Sequence, residues 1–314
     1  MNRVVLKVDV DTLLGTLEGV PALLELFKEF GVKASFLFSV GPDHTGRAIR
    51  RVFRKGFLRK VGRTSVVSHY GIRTLLYGTL LPGPDIGKRA SHILRRTLAE
   101  GHEAGIHCYD HVRWQDFVAN KGLDWTRREM EKARDAFLVS TGVIAPTIGA
   151  AGWQLNHHVL VLEEQMGYRY ASDVRGHTPF FPRMQGVNSK CIQLPTTLPT
   201  LDEIIGSDGV DETNCWKSIF EHSQNALPHG HVYTLHAELE GMKLLPAMRT
   251  LLKHWVSSNT EFLTLEQLYD SLDLSTLPVH PVDWGEVESR SGLLALQGPA
   301  LADDTAAMNQ GSPA

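Results

Sequence analysis

The sequence predicts an α/β protein built as a single, distorted (β/α) barrel, and three observations lead there. Short runs rich in Val, Ile and Leu alternate with amphipathic stretches; polar residues of chemical character stand at the ends of those runs; and 314 residues with 42% apolar content suffice for one large core. Alternating strands and helices imply a parallel sheet covered on its faces, either doubly wound or closed. A barrel is preferred because the carboxyl ends of all its strands open on one face, where residues scattered in sequence converge.

In chain order, strands are expected at Val4–Val10, Ala34–Val40, Ala104–His107, Tyr168–Ser172, Cys191–Pro195 and Val232–His236, short apolar runs of strand length. Helical periodicity marks Val20–Phe30, Ser91–Glu100, Trp125–Thr141, Asn156–Met166 and Leu245–Val256 between them. Past residue 272 the pattern weakens, and residues 297–314 are small, polar and Pro/Gly-containing, as in a loose tail. The expected organisation is a barrel over 1–272 with a basic amphipathic insertion at about 44–84, then a C-terminal extension over 273–314.

A charged fraction of 21% and a net charge of -3 are those of an ordinary globular protein, but the charge is uneven. No acidic residue occurs from His44 to Pro84, while nine Lys or Arg fall between Arg47 and Arg73. The N-terminal MNRVVLKVDVD carries charges inside its apolar run and lacks the features of a secretion signal. No window reaches the roughly 18 consecutive apolar residues of a membrane span. Cys108, Cys191 and Cys215 are odd in number and far apart, which suits a reduced compartment. A cytoplasmic protein is expected.

Asp9 and Asp11 end the first strand, His107 and His111 follow another, Asp173 follows a third and His236 ends a late one. The H-x-x-x-H spacing places His107 and His111 on one side of a helical turn, a spacing used for Zn²⁺, though among 15 histidines it also arises by chance. With Asp11 the pair becomes a three-ligand set that leaves positions open for water and substrate. Asp9, two residues from Asp11 on the same face, is then free to act as general base, and His236 as the acid for a leaving amine. Two carboxylates inside VVLKVDVDTLLG would be costly to bury unless paired or metal-bound. Plainer readings remain beside these: His236 as a hydrogen-bonded core histidine, and Asp173 as the cap of the following turn. Cys108 lies between the two histidines in sequence but points away from them.

Together these residues resemble the polysaccharide deacetylase (NodB homology) family over about residues 2–260. Its two-aspartate motif is matched by Val8-Asp9-Val10-Asp11-Thr12, its two-histidine motif by His107-Cys108-Tyr109-Asp110-His111, and its Leu-x-His motif by Thr234-Leu235-His236. The resemblance implies a distorted seven-stranded barrel, with Asp9 as base, Asp11, His107 and His111 as ligands of one divalent ion (Zn²⁺, Mn²⁺ or Co²⁺), and His236 as acid. It also implies that Asp173 orients and charges His236. The third motif departs: where many members carry an Arg that tethers the base, this chain reads Thr147-Ile148-Gly149-Ala150-Ala151-Gly152-Trp153. The strings DVDTLLGTLEGVP, EAGIHCYDH, AAGWQ, LPTTLPTLDE and YTLHAELEG resemble one subgroup, which removes formate from a formamido sugar on undecaprenyl phosphate. The resemblance to it implies a place in lipid A modification and cationic-peptide resistance.

A lipid-linked amino sugar would give the basic stretch a purpose. In RAIRRVFRKGFLRKVGR, Ile49, Val52, Phe53, Phe57 and Val61 recur at helical spacing while cations fill much of the remaining circumference, as in a helix lying on a membrane face. Residues about 47–83 are accordingly expected to meet the cytoplasmic face of the inner membrane; a helix packed on the barrel with a solvated basic face is the alternative. Nucleic acid is a poor fit, since the overall balance is acidic and no stacking platform accompanies the patch. Rival functions are an N-acetyl-sugar deacetylase, a haloacid-dehalogenase-like phosphatase, and a non-catalytic lipid- or sugar-binding protein. VDVDTLLG suits the phosphatase, but its only adjacent acidic Asp pair, Asp303-Asp304, lies in the tail.

Overall fold

β1 (Arg3–Val10) is the central strand, and its alternating residues serve two different surroundings. Val4, Leu6, Val8 and Val10 join an apolar cluster with Leu23, Leu24, Phe27, Leu251 and Trp255, whereas Val5 joins a second one with Tyr170, Ile192, Leu194 and Val232. Lys7, Asp9 and Asp11 share the parity of Val5, so three charged side chains follow one another above an apolar floor. The computed structural model describes residues 2–48, 74–207, 209–290 and 292–301. Of the predicted basic helix, residues 47–63, all but Arg47 and Ala48 lie outside the described residues, as does the tail beyond 301.

After β1 and a π-helical turn comes α1 (Val20–Phe30), which opens with Pro21 in its first turn and closes on Gly31 at φ 66°, a left-handed position that suits glycine. β2 (Ser35–Ser39), α2 (Ile86–Ala99), β3 (Glu103–Cys108), α3 (His111–Phe117), α4 (Leu123–Thr141) and α5 (His157–Gln165) follow. Then come β4 (Tyr170–Ala171), β5 (Phe181–Met184), β6 (Val187–Asn188), β7 (Ile192–Gln193), α6 (Leu201–Ile204), α7 (Cys215–Ser223) and β8 (His231–His236). The described chain continues through α8 (Leu245–Ser257), β9 (Glu261–Leu263), α9 (Leu265–Asp270), β10 (Val279–Glu286) and β11 (Leu293–Gln297).

α2 begins earlier than its hydrophobic periodicity suggests. Asp85 caps it by accepting from Lys88 N at 3.0 Å, and Ala90 then leaves helical geometry (φ -115°, ψ 15°), which interrupts the pattern just before Ser91. The weakly patterned C-terminal extension holds β10 and β11, paired antiparallel, and β10 also pairs with β5.

The main sheet runs β3-β2-β1-β8, all parallel, with β9 also parallel to β1 at its start. Beyond β3, parallel bridges join Ile106 to Ile148 and Ile148 to Ala171 in β4, and β4 pairs with β7. Thr197, past β7, donates its N–H to Val232 O of β8 at 3.0 Å. Because the strands are parallel, the ends of β1, β3 and β8 lie on the same side, and this brings the chemical residues together.

Candidate active site

Asp9 and His236 face each other as register partners on β1 and β8, and Ala237 N donates to Asp9 O at 3.0 Å. His107 is the penultimate residue of β3 and His111 the first of α3. The two histidines are therefore joined by a strand-to-helix turn rather than by the single helical turn that their spacing suggested. Asp110 forms that turn: one carboxylate oxygen caps α3 by accepting from Arg113 N at 3.0 Å, and the other is 2.6 Å from His44 Nδ1. The imidazoles end up 5.3 Å apart, centroid to centroid.

His107 Nδ1 lies 2.7 Å from Gly149 O, which assigns the proton to Nδ1 and turns the Nε2 lone pair outward. That nitrogen is 3.3 Å from Asp11 Oδ1, and His111 Nε2 is 3.4 Å from the same oxygen. One ligand atom from each of the three residues lies within 4.8 Å of the others. Among the described residues Asp11 Oδ1 is buried without a hydrogen bond, an arrangement that suits a cation. Burial pushes the Asp11 carboxyl up, but His111, His107 and His236 together hold it well below the usual carboxylate range. A carboxylate and two imidazoles thus fit a divalent ion by donor type and by the orphaned oxygen.

Glu238 lies just behind these residues, and motif reading missed it. Its Oε1 accepts from Asp11 N at 3.0 Å, Thr12 N at 2.8 Å and Thr12 Oγ1 at 2.8 Å, which fixes the chain where β1 ends. Burial, with the Asp11 charge beside it, pushes this carboxyl up to about 8. Glu240 accepts from His236 N at 2.9 Å and from Tyr233 Oη at 3.1 Å. Burial opposes a charge on His236, but Asp202 above all, then Asp11, Glu240 and Asp9, raise its pKa nonetheless.

Asp173 sits elsewhere. It is fully buried, and among the described residues its carboxylate accepts from Ala150 N at 2.6 Å and from Gln193 Nε2 at 2.8 Å, holding the Gly149–Trp153 turn rather than His236. Cys108 turns away, its Sγ 3.3 Å from Ser39 Oγ. The third-motif stretch places Trp153 at φ 52° with its ring under Arg175 and Arg290, whose guanidinium carbons are 5.0 and 4.9 Å from its centroid. Both arginines reach Glu203, at 2.6 and 2.8 Å, and Arg290 also reaches Asp202 at 3.1 Å. Lys7 Nζ is 3.4 Å from Asp9 Oδ2. An available signal for Lys7 was its parity with Asp9 and Asp11 inside an apolar strand; Asp202 and Arg290 had no comparable one.

These strands and this residue set define the fold of a polysaccharide deacetylase. The crystal structure of such a protein from Mycobacterium smegmatis matches with a TM-score of 0.62 and 17% identity over 91% of this chain and 94% of that one. No family model matches the chain. Curated relatives are nearer in sequence: a 4-deoxy-4-formamido-L-arabinose-phosphoundecaprenol deformylase, ArnD, of Shewanella sediminis is 37% identical over 301 residues, 95% of each chain. Its counterpart from Wigglesworthia glossinidia brevipalpis is 29% identical, covering 90% of this chain and 98% of that one. The chain belongs to this deformylase family.

Proposed function

We propose that the protein hydrolyses the formamide of 4-deoxy-4-formamido-L-arabinose carried on undecaprenyl phosphate, releasing formate and leaving the 4-amino sugar on its lipid. The observation that carries this reading is the opposition of Asp9 and His236 across β1 and β8, beside Asp11, His107 and His111, where Asp11 Oδ1 has no hydrogen bond among the described residues. Asp11, His107 and His111 would hold a divalent ion, Zn²⁺, Mn²⁺ or Co²⁺, which when bound supplies Lewis-acid polarisation of the amide carbonyl and a more acidic water. Asp9 takes the proton as water adds to the formyl carbon. His236 then protonates the sugar nitrogen as the C–N bond breaks, and formate and the amine leave. Asp202 and Glu240 support the charge on His236, whereas Asp173 serves the site through the Gly149–Trp153 turn.

In this reading the strands form a distorted seven-stranded barrel over residues 1–272, followed by the 273–314 extension. The path β8-β1-β2-β3, Ile148, β4, β7 and back through Thr197 to Val232 supports it. We place the protein peripherally on the cytoplasmic face of the inner membrane through residues about 47–83. Two facts agree: the described end of that segment exposes Leu80 at 81%, and no helix among the described residues is long and apolar enough to cross a membrane.

The test is formate release from a short-prenyl formamido-arabinose phosphate after chelation and after divalent metal is restored. Formate should appear only with metal and vanish in Asp9→Ala and His236→Ala. Hydrolysis of an N-acetyl sugar but not of the formamide would leave the site and change the substrate; no turnover of either would leave a binding protein.

A further inference from the structure

Lys7 is a charged side chain with no accessible surface. Removing an ammonium from water costs several kcal/mol even after relaxation, so its surroundings must offset that cost. Two contacts do so: Nζ lies 3.4 Å from Asp9 Oδ2 and donates to Ser172 O at 3.1 Å. The Trp153 ring lies beneath it, with its centroid 5.7 Å from Nζ. Along β1, Lys7 and Asp9 share a face, so the cation reaches the carboxylate beside it on its own strand.

Gly149 shows why the cation comes from β1. A Cβ there would stand 2.5 Å from Leu37 Cδ1, 3.0 Å from Ser172 O and 3.4 Å from Lys7 Cε. A side chain at 149 would therefore have to displace Leu37 and the methylenes of Lys7, and Thr147–Trp153 contains no cation. The other oxygen of Asp9, Oδ1, is buried with no hydrogen bond among the described residues; His107 Nδ1 lies 3.9 Å from it, a nitrogen already committed to Gly149 O. The two oxygens of Asp9 are thus unlike: Lys7 holds one, and the other has no hydrogen bond among the described residues.

We propose that Lys7 is the positioning residue for the catalytic base: by holding Asp9 Oδ2 it fixes the orientation in which the carboxylate takes the proton from the attacking water. This rests on the reading of Asp9 as base.

The experiment compares wild type with Lys7→Ala, Lys7→Met and Asp9→Asn. For each, it measures thermal unfolding, Zn²⁺ affinity by calorimetry, kcat and KM for formate release, and the response to n-propylammonium with n-propanol as control. A base left untethered is expected to lose roughly 100-fold in kcat, the scale of a misplacement of about 1 Å. KM and Zn²⁺ affinity should stay near wild type. Propylammonium should recover Lys7→Ala by about tenfold or more, but not Lys7→Met, whose side chain fills the space; propanol should recover neither. Wild-type kcat in Lys7→Ala or Lys7→Met overturns the inference, as does a loss that the amine does not relieve in folded Lys7→Ala or that brings down metal affinity and KM with it. If Lys7→Ala gives no cooperative melt, Lys7→Met decides: a fall in kcat alone supports the tether, and any other result rejects it. Activity retained by Asp9→Asn would refute the base reading itself, whereas inactive Asp9→Asn with active Lys7→Ala would refute only the tether.

Discussion

Replacing Glu238 by alanine should loosen the metal site without touching a ligand. Its Oε1 accepts three hydrogen bonds, from Asp11 N, Thr12 N and Thr12 Oγ1, at 3.0, 2.8 and 2.8 Å. Each contributes about 1 kcal/mol net, and a buried donor left without an acceptor costs about 1–3 kcal/mol, so Glu238→Ala should lose roughly 3–5 kcal/mol of stability. Asp11 would also lose the backbone tether that aims its carboxylate, and loss of such outer support typically lowers metal affinity about 10–100-fold. Glu238→Gln separates hydrogen bonding from charge. Burial and the neighbouring Asp11 push the Glu238 carboxyl up toward its neutral form, so glutamine is close to it in charge, keeps the acceptor oxygen and should cost no more than about 1 kcal/mol. Urea unfolding of the chelated protein gives the stability change and Zn²⁺ calorimetry the affinity change. If alanine costs less than about 1 kcal/mol, or glutamine as much as alanine, the hydrogen-bond account of this residue is wrong.

Three further outcomes are expected. Zn²⁺ at about 100 times its dissociation constant should stabilise wild type by about 2.7 kcal/mol, seen as a rise in Tm, and Asp11→Ala should lose that rise; an equal rise in both would place the ion elsewhere. His102 accepts from Ala34 N at 3.1 Å between Phe27 and Phe36, where burial first and Lys33 second bring its pKa down to about 4. Its folded pKa lies below the unfolded value of 6.5, so its contribution is lost as pH falls from 6.5 through about 4. The loss is about 2 kcal/mol after solvent screening is allowed for, and His102→Gln should flatten the pH profile of Tm over that window. Glu163, fully buried, is pushed well above the usual carboxylate range by burial and then by Asp173. The unfolded chain ionises there first, so wild-type stability should fall as pH rises above about 4.5, and Glu163→Gln should gain more in Tm at pH 8 than at pH 4. Equal gains at both would show that the carboxyl ionises in the fold.

Much of the fold was legible because it is local. The apolar runs became β1, β2, β3 and β8, and Val20–Phe30 became α1 to the residue, since strand alternation, helical periodicity and a closing glycine act over a few neighbours. β10 and β11 are not legible in the pattern: Pro281, Trp284 and Gly285 break the alternation of β10, and its pairing with β11 and with β5 supplies what the pattern lacks.

The sequence by itself determined the five residues near the strand ends, Asp9, Asp11, His107, His111 and His236, because four of them stand at or just past the end of an apolar run and the H-x-x-x-H spacing adds His111 in a linear reading. Only the tertiary structure decided what holds them. Lys7 finds Ser172 165 positions away, and Thr12 finds Glu238 226 positions away. Asp173 joins Gln193 and Ala150 rather than His236, and Asp202 comes to His236 from a separate segment. A buried charge declares in sequence only that it needs a partner. Which partner it meets depends on how parallel strands stack their side chains in the interior, a distance relation that spacing along the chain does not carry.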